Sequence, residues 1–276
     1  MPKNRQKIVI ATFYHFASLP DYEARKEELL EFCNENDLKG TILLAREGIN
    51  STISGTRRNI NKLMKYLRAD SRFSGLTWKE SFADYKPFER MKVRLKKEIV
   101  NMGLGDLDVD KRGEYVSAKD WDDLISDPEV ITVDTRNMYE TKIGMFKGAV
   151  DPKTRNFREF PDWAKKNLNP KKHKKVAMYC TGGIRCEKST SLLKNMGFEE
   201  VYHLEGGILK YFEETKNKNN KWHGDCFVFD ERVALDDELN PSGTVRCRKC
   251  GSPLGTDDLK AAPLNVVMCQ LCLSEK

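Results

Sequence analysis

The residues from Cys180 to Cys186, in order Cys180, Thr181, Gly182, Gly183, Ile184, Arg185 and Cys186, bring two thiols, two glycines and an arginine into one short segment. The apolar run Val176 to Tyr179 before them reads as the end of a strand, and Cys186 to Met196 reads as a helix. A thiol at the C-terminal end of a strand in an open α/β sheet stands where such sheets bind ligands. Facing a helix start, it meets unpaired N–H groups and the positive end of the helix dipole, and Arg185 adds a full charge. Each favours thiolate over thiol. Gly182 and Gly183 allow the backbone angles that wrap a loop around an anion. The competing reading, a buried structural cysteine beside a turn, leaves that combination unexplained.

A cysteine phosphatase would carry its arginine one position later and a histidine just before the thiol, where this chain has Cys186 and Tyr179. A smaller cargo, such as the terminal sulfur of a persulfide, suits the loop better. Cys186 has two readings that the sequence leaves open: it resolves an oxidised or persulfidated Cys180, or it packs within the helix. Asp134 and Arg136 fall at a strand end near the loop, with Arg136 expected to brace it by pairing with Glu140.

A second constellation lies near the C-terminus. Cys247 and Cys250 form one C-x-x-C pair, Cys269 and Cys272 another, with 18 residues between the pairs. That is the spacing of a four-thiolate zinc site, which holds together a segment too small to bury its own core. Redox dithiols are the rival reading. Arg246, Arg248 and Lys249 surround the first pair and could touch RNA. An iron triad built on His203 and Glu205 with His15 or His223 is a poor candidate, because His203 falls in a strand whose alternate side chains face opposite ways. No strand-to-helix Gly-x-Gly-x-x-Gly segment announces a flavin or a nicotinamide. Cys33 and Cys226 have no assigned role.

The 276 residues suggest about two domains, and the composition, 39% hydrophobic and 33% charged, is that of a folded protein. No apolar run is long enough to span a bilayer and the N-terminus, Met-Pro-Lys-Asn-Arg, lacks the apolar run of a signal peptide, so a cytoplasmic protein with metal-bound or reactive cysteines is expected rather than a disulfide framework. The net charge of +6 is modest, but basic residues cluster. Lys86, Arg90, Lys92, Arg94, Lys96 and Lys97 face only Glu89, and Lys165 to Lys175 holds six lysines and no acid. Two such runs point to a polyanion. Trp78, Phe82, Tyr85 and Phe88 are close to the first run and are expected mostly in the core.

Periodicity then supplies the elements. Lys7 to Phe16 reads as a strand, Asp21 to Asn36 as a helix, Gly40 to Ala45 and Ser51 to Ser54 as a hairpin, Asn59 to Ala69 as a helix, and Leu76 to Phe82 with Met91 to Val100 as one or two strands. That order is ferredoxin-like α+β. Beyond a Gly- and Asp-rich linker, helices alternate with the strands Val130 to Val133, Lys175 to Tyr179 and Val201 to Leu204, predicting a parallel α/β sheet. The polar run Lys216 to Lys221 marks a further boundary. The expected division is therefore 1–100 (ferredoxin-like α+β), 101–116 (linker), 117–216 (α/β) and 217–276 (small zinc-ribbon-like region).

Cys180 to Lys188, preceded by Val133 to Glu140 and followed by His203-Leu-Glu-Gly-Gly-Ile208, resembles a rhodanese domain. With Gly40 to Asn50, Arg90 to Arg94 and Phe227-Val-Phe-Asp-Glu-Arg232, the chain is similar to the bacterial tRNA uridine hydroxylase family from about residue 40 to 232. That resemblance implies oxygen-dependent conversion of wobble uridine to 5-hydroxyuridine, with tRNA as partner, molecular oxygen as co-substrate and Cys180 as the essential cysteine. Where rhodaneses carry Gly-His-Ile, this chain has Gly144-Met145-Phe146, and its C-terminal region looks short for the family. Lys86, Arg90, Lys92 and Arg94 are the candidate tRNA contacts. Two other functions remain: a sulfurtransferase carrying a Cys180 persulfide from a donor protein, and a non-catalytic RNA-binding scaffold.

Overall fold

The computed structural model describes residues 7–105, 107–216, 220–261 and 266–274. Asp106 of the expected linker and residues 217–219 of the expected boundary lie outside the described residues. The chain divides into two compact units, one up to Gly105 and one beyond it.

In the first unit, β1 (Ile8–Phe16), α1 (Arg25–Glu35), β2 (Lys39–Ala45), β3 (Gly48–Gly55), α2 (Arg57–Arg68), β4 (Lys79–Ala83) and β5 (Met91–Leu95) follow in order. The sheet order is β4-β1-β3-β2-β5, a ferredoxin-like four-strand arrangement with β5 added in parallel beside β2. Helix α2 shows how locally this is written. The Thr56 hydroxyl accepts the Asn59 N–H at 3.3 Å and caps its start, while Ile60, Leu63, Met64 and Leu67 repeat on one buried face. Burying each side chain contributes roughly 1.5–3 kcal/mol. The helix covers the sheet face that carries Val9, Ala11, Phe13, Ile42, Leu44, Met91 and Val93. Alternation puts Lys92 and Arg94 on the opposite face. Phe82 and Tyr85 are exposed rather than in the core, because β4 is an edge strand and Tyr85 lies beyond its end.

The second unit starts with β6 (Glu114–Val116), inside the segment expected to be linker, and continues through α3 (Ala118–Leu124), β7 (Val130–Asp134), α4 (Met138–Thr141), β8 (Gly144–Phe146), α5 (Phe160–Asn167), β9 (Lys175–Tyr179), α6 (Ile184–Asn195), β10 (Glu200–Leu204) and α7 (Gly207–Thr215). Strands β6-β10-β9-β7 form a parallel sheet. Past the undescribed residues, β11 (Trp222–Gly224) pairs with β8, and β12 (Cys226–Phe227) with β13 (Ala234–Leu235). Trp222 joins Trp121, Phe146, Tyr179, Tyr211 and Phe212 in one aromatic core of edge-to-face contacts. Residues 222–235 thus complete the α/β core instead of standing apart from it. Two short helices, α8 (Thr256–Ala261) and α9 (Gln270–Ser274), close the chain, and the Lys142 ammonium pairs with the buried Asp258 carboxylate to tie α8 to the end of α4. No helix among the described residues is long and apolar enough to cross a membrane.

Candidate active site

Strand β9 ends at Tyr179, and the turn Cys180 to Gly183 leads directly into α6. Gly183 takes φ +99°, a left-handed conformation that suits glycine. There its N–H donates to the Cys180 sulfur at 3.1 Å. The loop is held from behind by the start of α7, where the Ile208 N–H donates to the Cys180 carbonyl at 3.0 Å and the Leu209 N–H to the Thr181 carbonyl at 3.1 Å. Gly207 makes that approach possible. A Cβ there would lie 2.5 Å from the Cys180 oxygen and 2.7 Å from the Gly183 nitrogen.

Cys180 and Cys186 are both buried and both reduced. Burial pushes the Cys180 thiol up, but a hydrogen bond from the Cys186 thiol, the charge of Arg185 and the N–H groups of Arg185 and Gly183 outweigh it and bring Cys180 down to about 6. Burial and the adjacent Cys180 push Cys186 well above the ordinary thiol range. Near neutral pH the pair therefore shares one proton, carried by Cys186. The Thr135 hydroxyl is 3.7 Å from the Cys186 sulfur. The ultraviolet thiolate absorbance lost on Cys180→Ser is expected to grow as pH rises through a midpoint near 6. A midpoint of about 8.5, ordinary for a free thiol, would contradict this electrostatic account.

Arg185 does not point freely into solvent. Its guanidinium pairs with the fully buried Glu140 at 2.8 Å and reaches the Thr135 carbonyl at 3.5 Å. The expected Arg136–Glu140 brace is corrected accordingly. Arg136 instead clips back on Asp134, two residues earlier, at 2.7 Å, and donates to the Gly144 carbonyl at 2.6 Å. A two-residue spacing lets the arginine N–H and guanidinium grip one carboxylate together, which leaves Glu140 for Arg185. The Thr181 hydroxyl lies 3.4 Å from Glu140, and the Cys226 thiol is 3.7 Å from the Phe227 carbonyl. Burial pushes Cys226 up to about 12, so it faces the loop as a neutral thiol.

Sequence reasoning paired Glu140 with Arg136 instead of Arg185, and did not place Thr135 or Cys226 at the site. Glu140 carried a local signal, since Asn137-x-x-Glu140 is a capping box, but that signal explained the residue without the site. Ile184 is the first residue of α6, and Gly182 lies in the turn.

The four C-terminal thiols come together as their spacing predicts, with all sulfurs within 4.8 Å of one another. Cys250 and Cys269 are 3.7 Å apart. A tetrahedral centre with arms of about 2.3 Å has edges of roughly 3.8 Å, so the cluster has the dimensions to hold a metal. The Cys269 N–H donates to the Cys247 sulfur at 3.4 Å, as in a thiolate knuckle. Among the described residues this is the one cluster with metal-ligand geometry. His203, by contrast, is buried in contact with the Tyr115 ring, and Glu205 pairs with Lys210, so the iron triad does not assemble.

The basic runs fare differently. Lys86, Arg90 and Arg94 are exposed and Lys92 is half-buried. In the second run Lys175 is neutralised by Asp127 and Glu129, at 3.1 and 3.0 Å, acids distant in sequence. Lys165, Lys166, Lys172 and His173 line an open cleft of about 690 Å³.

Parallel strands, a thiol at the strand end and a loop closing on it define a rhodanese-type α/β unit, and residues 117–214 match the rhodanese-like domain family, as residues 8–99 match the UPF0176 acylphosphatase-like domain. A tRNA uridine(34) hydroxylase of Wolbachia pipientis wMel is 55% identical over 264 residues, 96% of each chain. One from the Wolbachia of Culex pipiens is 54% identical over 96% of this chain and 94% of its own. The chain belongs to the tRNA uridine(34) hydroxylase family. Among solved structures, the rhodanese-like domain of an Anabaena protein is similar over 40% of this chain and 78% of its own, at 20% identity and TM-score 0.34.

Proposed function

We propose that this protein carries out the oxygen-dependent hydroxylation of C5 of the wobble uridine of tRNA in the cytoplasm. The observation that carries the reading is the Cys180 thiol at the strand end of a rhodanese-type sheet, accepting the Gly183 N–H at 3.1 Å, in a chain more than half identical to proteins named for that reaction. Cys180 is the nucleophile or redox thiol that acts on the uracil. The Arg185 cation, with the N–H groups of Gly183 and Arg185, holds its negative charge. Cys186 keeps its own proton and points it at the Cys180 sulfur, and it is the candidate to resolve an oxidised Cys180. The relatives favour this reading over a sulfurtransferase or a non-catalytic scaffold.

Residues 1–100 supply tRNA contacts, the α/β unit from β6 through β13 (114–235) carries the reactive loop, and the segment around Cys247 to Cys272 is the metal-held region. The four thiolates suit zinc, which would stiffen that region and take no part in the redox chemistry. An anticodon base is already unpaired and can be splayed out, while lysines and arginines hold its phosphates. Lys86, Arg90, Lys92 and Arg94 fit that role through exposure and charge. Lys92→Glu with Arg94→Glu is expected to weaken tRNA binding about 10-fold at low salt and to flatten the log–log salt slope by about 1 to 2. An unchanged slope would remove these residues from the interface. Mass spectrometry of nucleosides from tRNA tests the reaction itself.

A further inference from the structure

Beside the reactive loop is an aromatic ring that buries little. Phe229 is 55% exposed, although its neighbours Phe227 and Val228 are 3% and 4% exposed. One edge contact supports it, from Phe227 at 5.1 Å between centroids and 90° between planes. The Arg185 guanidinium lies 5.9 Å from its centroid. Arg185 is also the cation that holds the Cys180 thiolate down, so the ring and the thiolate share one neighbour.

The mount beneath this ring is ordered. Asp230 and Arg232, both buried, repeat the two-residue clip of Asp134 and Arg136: the Arg232 N–H and Nε donate to Asp230 Oδ1 at 3.0 and 2.8 Å, and its terminal nitrogen pairs with Oδ2 at 2.6 Å. The Val228 N–H donates to the Val233 carbonyl at 2.9 Å, and Arg246 donates to the Asp230 carbonyl at 2.9 Å. Two buried charges and these two hydrogen bonds to the backbone thus hold a ring that leaves half its surface in water.

We infer that Phe229 and Arg185 form a base-stacking site in which the target uracil lies on the exposed Phe229 ring with its carbonyl edge toward the Arg185 guanidinium. This rests on the reading of the chain as a tRNA uridine hydroxylase. Unpaired bases bind proteins by stacking on aromatic rings and guanidinium planes. The guanidinium has five N–H donors, more than Glu140 and Thr135 occupy, and uracil offers only acceptors at its two carbonyls. Phenylalanine supplies the face, and arginine the polar edge.

The test measures binding of two anticodon stem-loop RNAs, one with uridine at the wobble position and one abasic there, to wild type, Phe229→Ala and Phe229→Trp. Phe229→Ala is expected to weaken the uridine RNA about 5- to 100-fold and leave the abasic RNA unchanged, and Phe229→Trp to retain wild-type binding. The Cys180 thiolate titration should be the same in all three proteins, since stacking, unlike a structural defect, does not move it. Equal loss on both RNAs, or no loss on either, overturns the stacking site while wild type still forms 5-hydroxyuridine. Failure of wild type to form 5-hydroxyuridine in tRNA overturns the underlying reading and this site with it.

Discussion

Cells whose only copy of this enzyme carries Cys180→Ala are expected to lose 5-hydroxyuridine, and nucleosides built on it, from their tRNA by at least about 10³-fold. The argument runs through charge. The turn before α6 spends the Gly183 N–H, the Arg185 N–H and the Arg185 cation on a single sulfur, and an alanine leaves those donors with nothing to act on. Stability should hardly change, because the lost hydrogen bond is worth about 1 kcal/mol and the Ile208 and Leu209 N–H groups still hold the turn through its carbonyls. Cys180→Ser should be equally inactive, since a hydroxyl does not ionise where this thiol does. Normal modification by a well-folded Cys180→Ala protein would remove the thiolate from the mechanism.

Metal removal should have the second largest effect. Among the described residues, Leu254, Val267 and Met268 pack with Cys247, Cys269 and Cys272 at the C-terminal cluster, too little apolar surface to hold those segments alone. Structural zinc in comparable small sites is worth roughly 10–16 kcal/mol. A chelator is therefore expected to release one metal ion per chain and make the segment after Val245 sensitive to protease, while the ferredoxin-like unit keeps its melting behaviour. Because Lys142 joins Asp258 to the end of α4, which carries Glu140, some of the loss should reach the Arg185 side of the reactive loop. Purified reduced protein that holds no metal and resists protease fully would contradict the metal account.

What the sequence disclosed and what it hid divide along physical lines. The reactive loop was legible because strand, thiol, glycines and helix start are contiguous, so local rules place them all. The four metal thiols were legible because their spacing encodes two knuckles. Glu140, Thr135, Cys226 and Phe229 were not, since each reaches the loop from a segment distant in sequence, and Glu140 already had a local explanation in its capping box. The Asp-x-Arg clip recurs at Asp70 and Arg72, at Asp134 and Arg136, and at Asp230 and Arg232. That repetition in the sequence could have freed Glu140 for Arg185 and marked Phe229 as mounted. Strands β6, β8 and β11 escaped notice because three residues are too few to show a period. Lys175 read as part of a bare basic run because Asp127 and Glu129 meet it only through the pairing of β7 with β9.

The central claim is best tested by mass spectrometry of nucleosides in tRNA from cells lacking this gene, compared with the same cells carrying the wild-type gene. The account predicts that 5-hydroxyuridine and its derivatives disappear without the gene and return with it. Unchanged levels of these nucleosides in the cells without the gene, with no second enzyme of this family present, would contradict it.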